Sequence, residues 1–314
     1  MCCLFGVIDY QHTLTRKQKN RIVSVLAAAC EARGTDATGV AYHSGGRLRV
    51  FKRPLPAHLM RFSFPEDATV IMGHTRMTTQ GDAKRNYNNH PFCGTSDEGP
   101  FALAHNGVIH NDKTLRRSSG LPQPKIETDS YIAVQLLEQQ KSLNFSGLRY
   151  MAERVEGSFT FTVLDGKDNL YIVKGDNPMC LYHYPRLGVY LYASAKEILE
   201  CALKHLNLRW ESPVQIQVDC GEILCINRSG LISREAFDDS KIYRSRYSMF
   251  WWPYQSAGFR HCYEGERDRG SDEYLEEVKS IARAFGYAPE EIDRLASQGF
   301  TPEELEDFLY CGEL

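Results

Sequence analysis

The sequence contains no apolar run of the roughly 18–20 residues that a membrane-spanning helix requires, and no basic leader with an apolar core at its N-terminus. It also lacks an excess of charge of either sign, since 37 Lys and Arg stand against 40 Asp and Glu, for a net charge of -3. A chain this balanced has no overall positive field to attract nucleic acid or an anionic membrane. These absences predict a protein that acts on neither.

The ten cysteines include no CxxC pair and no spacing typical of a zinc finger. Several lie within apolar segments, such as the one that contains Cys30, where a thiol packs as a small apolar side chain. The pattern favours reduced thiols in a cytoplasmic protein. It predicts no metal site.

Strand and helix patterns alternate in blocks along residues 2–235. Short apolar runs indicate strands, the first at 2–9, and helical patterns near 128–140 and 146–155 divide an earlier group of strands from a later one. A long polar loop is predicted between the strands at 69–74 and 101–105. This order favours a layered α/β arrangement with largely antiparallel sheets, and periodicity alone leaves open whether it has two layers or four.

The composition changes after about residue 236. Residues 236–270 are rich in Tyr, Trp, Arg and Gly and include an aromatic block at 247–254. Residues 271–314 return to helical spacing, with proline and acidic residues at predicted helix starts near Pro289 and Pro302. We therefore predict a main domain at 2–235, a linker at 236–270 and a small helical module at 271–314.

Cys2 gives the first indication of chemistry. Methionine aminopeptidases remove Met1 when the second residue is small, and removal would leave a thiol and a free α-amine on one residue. An α-amine titrates near about 7.7–8.0 and can act as the general base for its own nucleophile. On its own, a cysteine at the second position more often has no such role.

Three further segments carry groups suited to amide chemistry on an amino acid. Arg76 can hold a carboxylate through two parallel hydrogen bonds. Asn106 and Gly107 can donate hydrogen bonds to a developing oxyanion, and Asp129 can pair with an ammonium group. Each also has a commoner structural use in isolation, as a surface ion pair, a turn or a helix cap.

Taken in order, six segments resemble the glutaminase domain of the class II glutamine amidotransferases: MCCLFG, RGTDATG, GHTRMTTQG, NHPF, AHNGVIHN and ETDS. Weaker support comes from EGSFTF at 156–161 and YASA at 192–195. The resemblance covers residues 2–235, and the family includes the glutaminase halves of glucosamine-6-phosphate synthase and amidophosphoribosyltransferase. It implies a four-layer αββα fold of the N-terminal-nucleophile hydrolases, with Cys2 at the end of a central strand.

The same resemblance implies a mechanism that needs neither a metal nor an organic cofactor. Cys2 would attack the side-chain amide of L-glutamine, its α-amine would move the proton, and Asn106 and Gly107 would stabilise the oxyanion. Arg76 would bind the substrate α-carboxylate and Asp129 its α-ammonium group. Thr78 or Thr79 would lie near the substrate carboxylate. Arg33 would organise the surroundings of the nucleophile.

The chain departs from the family pattern at three positions. Cys3 stands where glycine usually follows the nucleophile, so a second thiol lies close to the first. Only Cys2, however, becomes the terminus when Met1 is removed. Met77 and Gln80 stand where tryptophan and histidine are common, at positions that help to couple the glutamine site to an acceptor domain. The departures therefore bear on coupling more than on glutamine hydrolysis.

Only about 80 residues follow the predicted glutaminase domain, and they contain no P-loop. We expect a glutaminase subunit that supplies ammonia to a separate synthase or ligase, with the aromatic block as a candidate docking surface. Two alternatives stay open. One is another amidohydrolase with an N-terminal cysteine, acting on an acylated amine; the other is a non-catalytic, glutamine-binding regulatory subunit.

Overall fold

The computed structural model describes residues 2–206, 211–242, 287–298, and residues 275, 278, 279, 282, 300 and 305. The chain separates into two compact units, residues 1–251 and 252–314. The aromatic block at 247–254 and most of the predicted linker lie outside the described residues, so the boundaries at 235 and 270 stay predictions. Within the described part, every helix is too short or too polar to span a bilayer.

The larger unit is built from strands and five described helices. The strands are β1 (Cys3–Asp9), β2 (Ala37–Ser44), β3 (Arg47–Arg53), β4 (Val70–Arg76), β5 (Phe92–Ser96), β6 (Gly99–Ile109), β7 (Gly157–Leu164), β8 (Leu170–Lys174), β9 (Cys180–Tyr184), β10 (Val189–Ala193), β11 (Val214–Ile216), β12 (Glu222–Ile226) and β13 (Ile232–Ala236). The helices are α1 (Arg16–Ala29), α2 (Asp112–Ser118), α3 (Tyr131–Gln140), α4 (Phe145–Ala152) and α5 (Lys196–Leu206), with 3-10 turns at Cys30–Arg33, Ala57–Leu59 and Asn86–Asn88.

The strands form two antiparallel sheets. One has the order β11-β9-β10-β1-β4-β2-β3 and the other β13-β12-β8-β7-β6-β5. One apolar cluster fills the space between the sheets, a second packs α1 and α5 on the first sheet, and a third packs α3 and α4 on the second. The layers therefore run αββα, which confirms the predicted four-layer fold.

Strand β1 lies at the centre of the first sheet, between β10 and β4. Successive side chains along a strand point to opposite faces. Accordingly Cys3 and Phe5 pack in the cluster beneath the helices, whereas Leu4 and Ile8 pack between the sheets. The side chains at the start of this strand thus belong alternately to two different layers.

Helix α1 begins where its sequence signals a start. Thr15 is the N-cap, and it exchanges hydrogen bonds with Gln18 in a capping box. The helix passes into a 3-10 turn at Cys30–Arg33 and stops at Gly34. This ending delivers Cys30 and Arg33 to the start of β1.

The prediction of one long loop between the strands near residues 74 and 101 is wrong, because β5 lies within it. The sequence Phe92–Ser96 carries one large apolar residue, Phe92, and forms a strand through its pairing with β6. Tertiary pairing of this kind overrides weak local propensity.

In the smaller unit the described helix is Pro289–Ser297, which starts at the proline as predicted. Val278, Ala282, Ile292 and Leu305 are buried together in one cluster. The second predicted helix start, near Pro302, lies outside the described residues. The extent of the helical module therefore stays a prediction.

Candidate active site

Cys2 lies immediately before β1 and is partly buried. The ladder between β1 and β4 begins at the pair Cys3–Thr75, so Cys2 extends beyond it next to Arg76. The Cys2 Sγ donates a hydrogen bond of 3.5 Å to the Met77 carbonyl oxygen. Burial raises the pKa of the Cys2 thiol, the positive charge of Arg76 acts to lower it, and Asp129 acts to raise it. Cys2, Arg76 and Asp129 are therefore close enough to interact electrostatically.

Cys3 lies on the other face of the strand. Its side chain is fully buried in the cluster beneath α1 and α5, and its Sγ lies 2.9 Å from the Sγ of Cys30. The neighbouring thiol thus faces away from the layer between the sheets. The alternation of side chains along β1 therefore gives the Cys3 thiol surroundings different from those of Cys2.

The side chain of Asn106 is fully buried beside the start of β1. Its Nδ2 donates a hydrogen bond of 3.4 Å to Ser194 Oγ, which also accepts a 2.8 Å bond from the Leu4 backbone N–H. Ser194 thereby joins the Asn106 amide to the strand that carries Cys2. The Asn106 Oδ1 has no partner. A buried amide that is only partly satisfied is costly for folding and is more often retained for function.

Gly107 has a φ of +141°, in the region that favours glycine. A Cβ at this position would lie 2.0 Å from the Ser158 carbonyl oxygen. No other residue fits without displacing β7. The Asn-Gly pair that suggested an oxyanion site therefore also satisfies a steric requirement of the sheet.

Arg76 is buried, with 3% of its surface exposed. Its Nη1 donates to Asn89 Oδ1 at 2.6 Å, and its Nη2 donates to the carbonyl oxygens of Gln80 and Gly81 at 2.6 and 3.2 Å. These bonds engage three of the five N–H groups of the guanidinium. The Nε–H and one Nη1–H are not engaged by these three bonds, and the engaged groups hold the loop that follows β4.

Asn89 is in turn held by Lys52, whose Nζ donates to the Asn89 and Pro91 carbonyl oxygens. Burial lowers the pKa of Lys52 to about 8. The segment NHPF, which begins at Asn89, therefore holds the guanidinium of Arg76 and is itself held by Lys52. It carried no role in the sequence analysis because this support comes from β3, far away in the chain.

Asp129 is buried just before α3, but its carboxylate does not cap that helix. Its Oδ2 accepts a 2.6 Å hydrogen bond from the Ile109 backbone N–H, and its Oδ1 accepts a 3.3 Å bond from the Ser130 hydroxyl. The helix-cap alternative weighed in the sequence analysis thus does not describe this residue. The carboxylate joins the end of β6 to the start of α3.

Thr78 and Thr79 are exposed in the loop after β4, and the Thr78 backbone N–H donates a 2.7 Å bond to Asp36 Oδ2. Arg33 is partly buried, and its charge acts to lower the pKa values of Cys3 and Cys30. Arg33 thus lies near the thiols of Cys3 and Cys30. Its predicted effect on the surroundings of Cys2, like the roles of both threonines, stays a prediction.

Three buried histidines surround the polar network behind Arg76. The rings of His74 and His90 lie 4.2 Å apart, and the His74 Nε2 contacts the His105 carbonyl oxygen at 3.0 Å. Burial lowers the pKa of all three, that of His74 to about 3. They are therefore neutral near pH 7. Among the described residues no cluster of three or more His, Cys, Asp or Glu could hold a metal ion.

A cavity of about 430 Å³ adjoins the loop after β4. Gln80, Arg116, Arg117, Leu121 and Glu127 contribute to its wall. Gln80 links this cavity to the site, because its carbonyl oxygen accepts a hydrogen bond from Arg76 and its Nε2 donates to the Glu127 carbonyl oxygen. The predicted glutamine contacts do not line this cavity, so it is a separate neighbouring space.

Comparison with known proteins also indicates a glutamine amidotransferase. Residues 74–200 match the family model described as a glutamine amidotransferase domain. The chain is 30% identical over 190 residues to glutamine–fructose-6-phosphate aminotransferase (isomerizing) of Sulfurisphaera tokodaii, a match that covers 58% of this chain and 31% of the relative. The enzyme of the same name from Halalkalibacterium halodurans is 29% identical over 257 residues, covering 78% of this chain and 42% of the relative. The chain thus spans a third to two fifths of these relatives.

Two solved structures share the fold. Glutamine phosphoribosylpyrophosphate amidotransferase from B. subtilis superposes with a TM-score of 0.57 at 20% identity, over 76% of this chain and 49% of the other. The allosteric regulatory enzyme of purine biosynthesis gives a TM-score of 0.58 at 19% identity with the same coverage. The αββα layers and these likenesses define the fold as that of the N-terminal-nucleophile hydrolases. More specifically, residues 74–200 match a glutamine amidotransferase domain, and the relatives and solved structures that the chain resembles are glutamine-dependent enzymes of this kind by name.

Proposed function

We propose that this chain hydrolyses L-glutamine to glutamate and ammonia, with Cys2 as the nucleophile. The observation that carries the proposal is the register of β1 and β4, which sets Cys2 beside the buried Arg76, with the Asp129 carboxylate near enough to act on the pKa of the Cys2 thiol. A cation and an anion beside one nucleophile suit a zwitterionic amino acid. The alternative of an acylated-amine hydrolase is disfavoured because an acyl chain would leave both charges without a partner.

The reaction begins once removal of Met1 frees the α-amine of Cys2. That amine accepts the thiol proton as the sulfur attacks the glutamine carboxamide carbon, and the carbonyl oxygen becomes an oxyanion. The Asn106 side-chain amide and the Gly107 backbone N–H stabilise this charge. Collapse of the intermediate expels ammonia, which takes the proton back, and leaves a thioester. Water then attacks the thioester and releases glutamate.

Arg76 and Asp129 orient the substrate in this proposal. The Arg76 guanidinium binds the α-carboxylate through an N–H group that the loop leaves unengaged, while its bonds to Asn89, Gln80 and Gly81 keep it in place. The Asp129 carboxylate, held by Ile109 and Ser130, receives the α-ammonium group. Orientation by groups that are themselves fixed reduces the entropy lost on reaching the transition state.

The ammonia released would be used by a partner. We propose a separate synthase or ligase in the cytoplasm as the acceptor. The curated relatives are named for amino transfer to fructose 6-phosphate. The exposure of Met77, 43% of its surface, leaves an apolar side chain at the rim of the site for such contact.

The test is release of glutamate and ammonia from glutamine by protein whose loss of Met1 is confirmed by intact mass. Cys2→Ala is expected to abolish turnover, whereas Cys3→Ala retains most of it because Cys3 faces the helix layer. Turnover that survives in Cys2→Ala would refute the assignment. If the processed protein binds glutamine without turnover, the non-catalytic regulatory alternative is the correct one.

A further inference from the structure

The two thiols beneath the nucleophile form an isolated pair. Cys3 and Cys30 are both fully buried, their sulfur atoms lie 2.9 Å apart, and 27 positions of chain separate them. The proposed reaction uses neither. A disulfide needs the sulfur atoms at about 2.05 Å, so a combined shift of roughly 0.9 Å would bring this pair to bonding distance.

The surroundings make the two thiols chemically unequal. Burial acts to raise the pKa of Cys3, but the hydrogen bond with Cys30, the charge of Arg33 and hydrogen bonds from Ser194 lower it overall. Burial and the contact with Cys3 raise the pKa of Cys30. The thiol of Cys3 therefore loses its proton more readily than that of Cys30. A sulfenic acid formed on one cysteine condenses with a neighbouring thiol to a disulfide, and the 2.9 Å separation of the two sulfur atoms supplies that neighbour.

Both cysteines also touch the machinery of the site. Ser194, which hydrogen-bonds to Cys3, holds the Asn106 amide and the Leu4 backbone. The Cys30 carbonyl oxygen accepts a 2.9 Å bond from Thr75 Oγ1, next to Arg76. A Cβ added to Gly34 would lie 2.4 Å from the Arg76 backbone, so the segment after Cys30 packs directly on it. A change in the pair is therefore transmitted to both the oxyanion side and the carboxylate side.

We propose that Cys3 and Cys30 are a reversible redox modification site, at which a peroxide converts the two thiols to a disulfide and slows the reaction at Cys2. The Cys3 sulfur attacks one peroxide oxygen and becomes a sulfenic acid, while its thiol proton leaves with the other oxygen as water. The Cys30 sulfur then attacks the Cys3 sulfur and displaces a second water. Two thiols and one hydrogen peroxide give one disulfide and two waters, and a dithiol reductant reverses the change.

The disulfide link between Cys3 and Cys30 is measured first. The protein used is the full-length Cys2→Ala variant, so that the result is independent of catalysis. The folded protein is treated with hydrogen peroxide, its remaining thiols are alkylated under denaturing conditions, and its peptides are mapped without reduction. The expected product links the peptide containing Cys3 to that containing Cys30 and is lighter by two hydrogen atoms. Cys30→Ala in the same background removes it, whereas Cys93→Ala, at an exposed thiol, leaves it. Absence of the linked peptide overturns the proposal.

The second part of the proposal, that the disulfide slows the reaction at Cys2, rests on the proposed glutaminase function. It is measured on protein that has lost Met1 and retains Cys2. Peroxide is expected to lower kcat/KM by about tenfold more in this protein than in Cys30→Ala, because sub-ångström displacement of catalytic groups has effects of this size. A dithiol restores the rate. Equal losses in the two proteins would assign the inactivation to Cys2 alone and overturn the regulation. If the reduced protein shows no turnover, the proposed function fails, while the linked peptide still decides the modification site.

Discussion

The two ends of β1 both bury charged or polar groups, but they satisfy them differently. At the far end the Asp9 carboxylate lies 3.1 Å from Lys19 Nζ and accepts hydrogen bonds from the Thr13 and Leu14 N–H groups. Lys19 also donates to the Glu66 and Ala68 carbonyl oxygens. The two buried charges, Asp9 and Lys19, are therefore paired, as expected for a structural network, whereas the hydroxyl of Thr69 beside them has no hydrogen-bond partner among the described residues.

At the Cys2 end several buried polar atoms have none. Among the described residues, these atoms are Asn106 Oδ1, His74 Nδ1 and both ring nitrogens of His90. Unsatisfied polar groups reduce stability, so their concentration at one end of a strand indicates selection for something other than stability. The same strand thus has a structural end and a chemical end. The predictions below separate them.

The largest effect is expected at the structural end. Lys19→Met leaves Asp9 buried without its charged partner and should lower the free energy of unfolding by about 3–5 kcal/mol. The rate per folded molecule should not change, since the site lies at the other end. Denaturant unfolding and glutamine turnover measure the two quantities. Lys17→Met, at an exposed position of the same helix, is the control and should stay within about 0.5 kcal/mol.

Asn106→Ala should show the reverse pattern. Loss of one oxyanion donor lowers kcat by roughly 10²–10³, or about 2.7–4 kcal/mol of transition-state stabilisation, with a smaller effect on unfolding because the amide is incompletely satisfied. Asn144→Ala is the matched control: it removes the N-cap of α4 and costs about 1 kcal/mol of stability without changing kcat. A kcat for Asn106→Ala within twofold of the parent would contradict the role proposed for this amide.

The smallest expected effect of a single residue is the share that each buried histidine has in a pH dependence of stability. Their folded-state pKa values are lowered by burial, that of His74 to about 3, whereas an unfolded histidine titrates near about 6.5. Below about 6.5 the unfolded chain binds protons that the folded chain does not, so stability present above that pH is lost as the pH falls. The limiting slope is about 1.4 kcal/mol per pH unit for each histidine.

Chemical unfolding at pH 7.5 and 5.5 measures this slope. His90→Leu should reduce it by one histidine's share, and His110→Asn, at an exposed position, should not. Equal slopes in the parent and His90→Leu would show that His90 is protonated in the folded state or is accessible to water.

Local signals in the sequence predict a large part of this fold. Thr15 with Gln18 places the start of α1, Gly45 and Gly46 place the turn between β2 and β3, and the apolar run after Cys2 places the first strand. These features depend on neighbouring residues, whose preferences are strong enough to survive tertiary packing. Strand β5 and helix α5 were not predicted; they depend on pairing with β6 and on packing against α1.

The candidate site was predictable in its members but not in its supports. Asn106 and Ser194 are 88 positions apart, and Lys52 and Asn89 are 37 apart; each pair meets because of the strand order, which no short motif encodes. The same holds for Cys3 and Cys30, which local sequence shows only as two scattered thiols. Resemblance to a family supplied the chemical groups, and the topology supplied what holds them.

The network of Asp9 and Lys19 has a mechanical consequence for the opposite end of the strand. It fastens the end of β1 to α1 and to residues 66–69 through several bonds. Cys2, by contrast, extends beyond the ladders on both sides, which begin at Cys3 with β4 and at Phe5 with β10. The strand is therefore paired along its length, and only the residue that carries the reactive thiol lies outside the ladders. Small movements of the nucleophile can then occur without loosening the sheet that aims it.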